Sequence, residues 1–189
     1  MKEKLLLVDS GGLGRVTLEH AIKKYECFFV DDNYSIGDTV CDIPIVGRIT
    51  DLQALSEKYR KMVITIGETS IRERIYKEAK EIGYLFPNIV HSSVYISPYA
   101  HVGEACVILN NVVIQNGSHV GNGVVLNPGV EIHHDSFVDD YAVVYTNSVI
   151  RTYAKVGKRV TIGSNVSIGN NSMIVDDSII ENGKSIFSC

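Results

Sequence analysis

A histidine followed directly by an aspartate, His134 and Asp135, is the pair in this sequence best suited to acid–base chemistry. An imidazole has an ordinary pKa of about 6.5 and can accept a proton at neutral pH. A neighbouring carboxylate can fix the tautomer of the ring and stabilise the imidazolium that forms. The pair therefore suits a general base and the group that orients it. A purely structural interpretation stays open, because a solvated corner histidine needs no catalytic role.

A glycine-rich turn near the start of the chain is a second candidate. The run Asp9-Ser10-Gly11-Gly12-Leu13-Gly14 follows an apolar stretch, residues 4–8. Its backbone amides, at the beginning of a helix, could hold a phosphate. A tight strand-to-helix turn explains the glycines equally well, since Thr17 stands at the third glycine position of the dinucleotide-binding fingerprint. Asp31 and Asp32 could bind a ribose or sugar hydroxyl, although solvated turn acids explain them too.

A six-residue repeat is the element that must position His134 and Asp135. Every sixth residue from Val90 to Ile180 is Val, Ile or Leu, and the fourth residue after each, from Val94 onward, is small or Val. Such a period is typical of a triangular coil whose sides point one large and one small side chain inward. Stacked β-branched columns then bury a continuous core. The pattern predicts a left-handed parallel β-helix over residues 90–180, with about five coils and a length on the order of 24 Å.

The corners of this helix have their own signature. The third residue after each aliphatic position is mostly Gly, Asn or Asp, the types that best tolerate a left-handed backbone. Asp135 occupies such a corner, and His134 precedes it in an outward-facing, mostly polar position. The spacing alone therefore favours the structural interpretation of both residues. Cys106 falls in the small inward register, which predicts that it belongs to the core.

Residues 1–88 alternate strand and helix patterns. Strands are predicted at residues 4–8, 27–30 and 62–66, and helices from the glycine turn to about residue 24, at 51–58 and from 70 to Gly83. The second helix is predicted to open with the capping box Thr50-x-x-Gln53. Ligands of small parallel α/β units lie at the carboxyl ends of the strands, where Gly67 follows the third strand.

Bulk composition narrows the function classes. The 189 residues carry a net charge of −4 and are 45% hydrophobic, ordinary values for a soluble protein of one or two domains. The mild negative charge argues against nucleic acid and against an anionic membrane. The longest apolar run near the start, Leu5-Leu6-Leu7-Val8, is too short for a signal segment or a membrane span. The four cysteines have no paired spacing, so neither disulfides nor a zinc site are expected, and the protein is predicted to be cytoplasmic.

Several segments together resemble the nucleotide-sugar acyltransferases that join a Rossmann-like N-terminal domain to a left-handed β-helix. This family includes the bacillosamine and perosamine N-acetyltransferases and the sialic-acid O-acetyltransferases. The resemblance covers nearly the whole chain and rests on residues 5–15, 29–32, 64–68 with Arg72, 86–91, 126–129 and 132–135.

The resemblance implies an acetyl-CoA-dependent transferase acting on the amino group of a nucleotide-linked amino sugar, in glycan or polysaccharide precursor synthesis. It implies a substrate-binding domain over residues 1–88, an acyltransferase domain over 89–189, and a homotrimer that needs no metal. His134 matches the catalytic base, Asp135 the carboxylate beside it, and Asn127 an asparagine near the acceptor amine. The nucleotide is expected near the residues Gly11, Gly12, Leu13, Gly14, Asp31, Asp32 and Gly67.

Some positions depart from the pattern of the family. Val143 stands for a histidine, Asn147 for a corner glycine, and Thr152 for a glycine one coil beyond His134, where acetyl-CoA approaches closely. Asp9 stands for the first glycine of the N-terminal turn. We expect Val143 and Thr152 to border the coenzyme. Two alternatives stay open: O-acetylation of a sugar hydroxyl, and a non-catalytic trimeric scaffold derived from such an enzyme.

Overall fold

Two compact units make up the protein, whose computed structural model describes residues 2–187. The division falls between Ile89 and Val90. The first unit is an α/β sheet domain, and the second is built almost entirely from two-residue strands. Among the helices in residues 2–187, none combines the length and the apolar character that crossing a bilayer requires.

The first unit contains a five-stranded sheet in the order β3-β4-β2-β1-β5. Strands β1, β2, β4 and β5 are parallel, and β3 is antiparallel to β4. The elements are β1 (Glu3–Val8), α1 (Gly12–Ala21), β2 (Tyr25–Val30), β3 (Thr39–Val40), β4 (Ile43–Gly47), a 3-10 turn (Ile49–Asp51), α2 (Leu52–Leu55), β5 (Lys61–Ile64) and α3 (Thr69–Ile82). The last four residues of β1 are fully buried, as expected for a central parallel strand covered on both faces.

Two local features of this unit differ from prediction. The hairpin of β3 and β4 was not predicted, because its two-residue turn consists of Cys41 and Asp42, both with positive φ (51° and 62°), instead of the usual Asn-Gly or Asp-Gly. The predicted capping box was wrong as well. The helical turn begins earlier, and the Asp51 carboxylate accepts a hydrogen bond from the backbone N–H of Arg48 (2.8 Å).

The second unit is the predicted left-handed parallel β-helix, which is confirmed. Three sheets of six, five and six strands form its sides, and each strand pairs with the strand 18 residues further on. The strands are β6 (Ile89–Val90), β7 (Tyr95–Ile96), β8 (His101–Val102), β9 (Val107–Ile108), β10 (Val113–Ile114), β11 (His119–Val120), β12 (Val125–Leu126), β13 (Glu131–Ile132), β14 (Phe137–Val138), β15 (Val143–Val144), β16 (Val149–Ile150), β17 (Lys155–Val156), β18 (Thr161–Ile162), β19 (Ser167–Ile168), β20 (Met173–Ile174), β21 (Ile179–Ile180) and β22 (Ser185–Ile186).

The core of the β-helix consists of the two predicted inward registers. The aliphatic column is fully buried from Ile108 to Ile168, and it continues one step beyond the predicted range to Ile186. Most serines of the small register donate to a backbone carbonyl, as where the Ser148 hydroxyl donates to the Gly163 carbonyl (2.6 Å). The buried Ser172 hydroxyl is an exception and has no hydrogen-bond partner within residues 2–187. Cys106 is fully buried in this core, as predicted.

Left-handed corners are confirmed from Ala105 onward, whereas the corner position at Tyr99 does not have a positive φ. All fourteen corner residues from Ala105 to Gly183 have φ between 55° and 72°. Four of them (Ala105, Tyr141, Tyr153 and Arg159) are types that pay a steric penalty in this conformation, roughly 1–2 kcal/mol each. The stacking of the coils therefore imposes the corner geometry even where the residue type opposes it.

Candidate active site

His134 and Asp135 contact each other at a corner of the β-helix, directly after β13. The Asp135 backbone is left-handed (φ 58°), and one carboxylate oxygen, Oδ2, lies 2.8 Å from Nδ1 of the His134 ring. Both side chains are about half exposed, at 51% and 46%. The pair has the geometry of a base and its orienting carboxylate, with the ring open to the surface.

Thr152 completes a three-residue chain with this pair. It lies 18 residues after His134, one full coil later, and its hydroxyl Oγ1 is 3.1 Å from Nε2 of the imidazole. The tautomer that satisfies both contacts carries its hydrogen on Nδ1, donates to Asp135 and accepts at Nε2 from the Thr152 hydroxyl. The hydroxyl thus occupies the ring nitrogen that a catalytic base would turn toward its substrate.

Two further residues hold His134 in place. The Gln115 side-chain oxygen accepts a hydrogen bond from the His134 backbone N–H (3.0 Å). The Tyr153 ring meets the imidazole edge to face, with the ring centroids 6.1 Å apart. Sequence reasoning did not single out Gln115. The repeat could have indicated it, because residues 18 apart lie side by side on neighbouring coils and Gln115 is 18 residues before His133.

A glycine one coil earlier leaves room for the Asp135 carboxylate. Gly117 is itself a left-handed corner (φ 68°), and a Cβ built there would clash with Asp135 Oδ1. The corner pattern predicted a glycine-type conformation at this position but not its contact with the candidate site.

The remaining predicted residues of the β-helix lie elsewhere on the coil. Asn127 follows β12, and its side-chain amide donates to the Val144 carbonyl one coil later (3.1 Å). Val143, in β15 of the same sheet, is only 4% exposed. The adjacent His133 contacts Glu131 (3.2 Å). The structure thus brings together His134, Asp135 and Thr152, while Asn127 and Val143 sit on a different side.

The first unit has its own cavity, at the carboxyl ends of β1, β2 and β5. Its volume is about 240 Å³. It contains two of the predicted residues, Asp31 and Asp32, and the lining residues are Asp9, Asp31, Asp32, Asn33, Ile49, Ile66, Ile71 and Arg74. Its position is the one that parallel α/β topology predicts for a ligand.

Asp31 is the most firmly held acid of this cavity. It is 3% exposed, and its Oδ2 accepts hydrogen bonds from the backbone N–H (2.8 Å) and the hydroxyl (2.6 Å) of Ser10. Its Oδ1 accepts from the Asn33 backbone N–H (2.9 Å). Burial alone would raise the pKa of Asp31, but these hydrogen bonds outweigh it and hold the pKa below its usual value. Asp31 is therefore a charged carboxylate near neutral pH.

The glycine turn joins β1 to α1, as predicted. Gly11 is the N-cap, and Gly12, Leu13 and Gly14 form the first turn of α1. A Cβ on Gly14 would clash with the Asp9 carbonyl, so this glycine permits close packing of the helix on the end of β1. The Gly12 position leaves open space.

Gly67 is part of the loop after β5. Its carbonyl oxygen accepts a hydrogen bond from the Arg72 guanidinium (3.2 Å), which also donates to the Ile66 carbonyl (2.7 Å). Arg72 is buried, so this arginine of the family segment shapes the loop beside the cavity. Within residues 2–187, no group of three His, Cys, Asp or Glu side chains lies close enough to hold a metal ion.

Known proteins with this architecture include sugar acetyltransferases. Residues 4–79 match the family described as the PglD N-terminal domain. The acetyltransferase domain of PglB from Neisseria gonorrhoeae FA1090 superimposes with a TM-score of 0.93 at 25% identity, over 98% of this chain and 92% of that one. A structure of the same domain in complex with acetyl coenzyme A superimposes with a TM-score of 0.90 at 25% identity, over 98% of this chain and 93% of that one.

Two further relatives extend the comparison. A variant of GDP-perosamine N-acetyltransferase from Caulobacter crescentus, in complex with CoA and GDP-perosamine, shares the fold (TM-score 0.92, 21% identity, 97% of this chain and 88% of that one). The UDP-3-O-acylglucosamine N-acyltransferase of Anaeromyxobacter dehalogenans (strain 2CP-1 / ATCC BAA-258) is 43% identical over 49 residues, 26% of this chain. That match spans only 14% of the length of the relative.

The fold and the matches show which proteins this chain resembles. Its α/β unit matches the PglD N-terminal domain over residues 4–79, and the whole chain, including the β-helix, superimposes on 92% of the N. gonorrhoeae acetyltransferase domain. The resemblance to the nucleotide-sugar N-acetyltransferases is thereby confirmed.

Proposed function

We propose that this protein transfers the acetyl group of acetyl-CoA to the amino group of a nucleotide-linked amino sugar, in the synthesis of a glycan or polysaccharide precursor. The observation that carries the proposal is the 2.8 Å contact between His134 and Asp135. It lies on a chain that aligns along 98% of its length with an acetyltransferase domain known in complex with acetyl coenzyme A.

The chemistry that we assign to this pair is direct transfer. The unprotonated amine attacks the thioester carbon, the C–N bond forms, and His134 Nε2 accepts the amine proton. The C–S bond then breaks, and the proton passes from the imidazolium to the departing thiolate. Asp135 stabilises the imidazolium through Nδ1. A backbone N–H of an adjacent coil would stabilise the oxyanion. Since the Thr152 hydroxyl contacts Nε2, its side chain must rotate away before the amine can approach.

Substrate and coenzyme are assigned to the two units separately. We assign the nucleotide of the acceptor to the first unit, residues 1–88, in the cavity beside Asp31 and Asp32. We assign acetyl-CoA to the β-helix, residues 89–189, close to Thr152. Val143 and Asn127 lie on a different side of the coil, so we assign them to the coenzyme and to the acceptor amine of a site that a neighbouring subunit completes.

We also propose a homotrimer that works in the cytoplasm. Half-exposed catalytic side chains favour an assembly, because a neighbouring β-helix would enclose the transfer. A reduced compartment is supported by the four cysteines of the sequence, which have no paired spacing. Light scattering should give a mass of three times 20.8 kDa; a monomer would contradict the assembly.

Product analysis tests the proposed reaction. The protein is incubated with acetyl-CoA and a panel of UDP- and GDP-linked amino sugars, and products are examined by mass spectrometry. We expect one acetyl group on one amino sugar, and no product from the matched nucleotide sugar that carries a hydroxyl in place of the amine. Acetylation of the hydroxyl compound would favour O-acetyl transfer, and no product from any acceptor would contradict the proposal.

A non-catalytic scaffold is the second candidate, and the contact between Thr152 and the His134 base nitrogen favours it. Calorimetric titration of acetyl-CoA separates the two. Micromolar binding would exclude the scaffold, whereas a folded protein that binds no acyl-CoA would replace the enzyme by the scaffold.

A further inference from the structure

Asp9 has a backbone conformation that favours glycine. It follows β1 with φ 83°, which costs a non-glycine residue roughly 1–3 kcal/mol. The backbone is fixed from both sides: its N–H donates to the Val30 carbonyl (2.8 Å), and its carbonyl accepts from the Thr65 hydroxyl (2.8 Å). Hydrogen bonds on both sides thus hold the Asp9 backbone in this left-handed conformation.

The Asp9 carboxylate lies over the glycine turn. Its Oδ2 accepts a hydrogen bond from the backbone N–H of Gly11 (3.0 Å), the N-cap of the ten-residue helix α1. A Cβ on Gly11 would stand 2.7 Å from the same oxygen. Amides at a helix N-terminus attract anions, because the helix dipole is positive there. Here the anion is supplied by the chain itself.

The neighbouring amide is bound in the same way. The Ser10 backbone N–H donates to Asp31, so two successive amides of the turn both bind carboxylates of the protein. Burial raises the pKa of Asp9, and the nearby negative charge of Asp31 raises it further. The hydrogen bond from Gly11 acts in the opposite direction. Three acids and one arginine, Arg74, are the charged residues of the cavity lining. A ligand diphosphate at this turn would meet repulsion in addition to occupied amides.

We infer that Asp9 is a specificity-determining residue that takes the anion position of the glycine turn and selects against a phosphate at that position. The favoured ligand presents hydroxyl groups to the carboxylates of Asp9 and Asp31 and keeps its phosphates away from the turn. The inference rests on the proposed function only for the class of ligand, a nucleotide-linked sugar.

Binding of phosphorylated and unphosphorylated probes tests this inference. UDP, GDP, uridine and guanosine are titrated calorimetrically into the wild type, Asp9→Asn and Asp9→Gly. Both variants keep the left-handed backbone, and both remove the charge. Asp42→Asn is the matched control, because Asp42 is also an acid with positive φ in the first unit but does not line the cavity.

We expect Asp9→Asn and Asp9→Gly to bind UDP or GDP at least about tenfold more tightly than the wild type and Asp42→Asn, equivalent to about 1.4 kcal/mol. Uridine and guanosine should not show this gain. Equal diphosphate affinity in the wild type and both folded Asp9 variants, or no binding of a diphosphate by any of them, would overturn the inference. The assay involves no acetyl transfer, so a failure of the proposed reaction would leave its outcome unaffected.

Discussion

The Thr152 hydroxyl contacts the nitrogen of His134 that would accept a proton in the proposed mechanism. This hydroxyl holds Nε2 at 3.1 Å while Asp135 holds Nδ1 at 2.8 Å, so both ring nitrogens are engaged. A hydrogen bond of this kind contributes about 0.5–1.5 kcal/mol net. In the proposed reaction an amine must displace this hydrogen bond, and the displacement would add to the barrier of each turnover.

Replacing Thr152 by glycine should therefore accelerate acetyl transfer. The change frees Nε2 and removes the Cβ at the expected approach of the thioester, which predicts a kcat roughly 2- to 10-fold higher. Thr152→Ser keeps the hydroxyl and serves as the matched control with near wild-type kcat. A glycine variant slower than the wild type, measured by steady-state kinetics, would show that Thr152 assists the reaction.

The sequence was sufficient to predict the contact between His134 and Asp135, but not the side chains that surround this pair. His134 and Asp135 are neighbours in the chain, so their contact follows from adjacency and a left-handed corner. The sequence also placed Thr152 one coil beyond His134, but not the hydrogen bond between its hydroxyl and Nε2. That bond and the contact of Gln115 with the His134 N–H depend on side-chain rotamers, which periodicity does not encode.

The left-handed corners of the β-helix position the candidate site, because Asp135 is itself a corner residue and packs against the corner Gly117. Gly117→Ala should destabilise the β-helix more than Gly183→Ala, because both positions have positive φ but only Gly117 faces a side chain, that of Asp135. We expect about 1–2 kcal/mol for Gly183→Ala from backbone strain, and about 1–3 kcal/mol more for Gly117→Ala from the clash. Denaturant unfolding measures both. Equal losses would mean that Asp135 simply moves aside.

A stack of aromatic rings on another side of the β-helix predicts a pH dependence of stability. His119 lies between His101 and Phe137, with both centroid distances 4.6 Å. Burial and the charge of His101 hold the pKa of His119 below its ordinary 6.5, although Asp139 and Asp140 oppose the shift. A lowered pKa means that the unfolded state binds the proton more readily, so this stability is complete above pH 6.5 and is lost as the pH falls through the folded-state pKa.

Thermal unfolding measured between pH 7.5 and pH 5 tests whether stability falls with the pH in this way. The wild type should lose Tm as the pH falls, and His119→Phe, which extends the stack without a titratable ring, should lose less. His133→Gln is a control at a histidine outside this stack, with a side chain 26% exposed, and it should keep the wild-type decline. A His119→Phe variant with the full decline would exclude His119 as the source.

Secondary-structure elements were predicted correctly where their sequence pattern was regular. The β-helix repeats one pattern throughout, so its strands, core and corners followed directly from the six-residue period. The hairpin of β3 and β4 was missed because Cys41 and Asp42 form its turn without a glycine or asparagine. Tertiary pairing of β4 with β2 holds that conformation, and no local sequence preference reveals it.

The protein combines two compact units, to which we have assigned separate chemical tasks. The β-helix supplies a rigid corner on which an imidazole and a carboxylate meet, and the α/β unit supplies a cavity at its strand ends. The sequence predicted both architectures, because each follows from hydrophobic period and glycine placement. The identity of the proposed acceptor would depend instead on individual side chains such as Asp9 around one small cavity, where we expect a single charge to alter what can bind.

The proposed catalysis of acetyl transfer by His134 and Asp135 can be tested by a single kinetic comparison. Turnover of acetyl-CoA with the accepted amino sugar is measured for the wild type, His134→Ala and His133→Ala, each checked for an intact oligomer. We predict a kcat at least about 10²-fold lower for His134→Ala and a nearly unchanged kcat for His133→Ala, whose ring contacts Glu131 instead. Unchanged turnover in His134→Ala would remove this histidine from the mechanism and contradict the account.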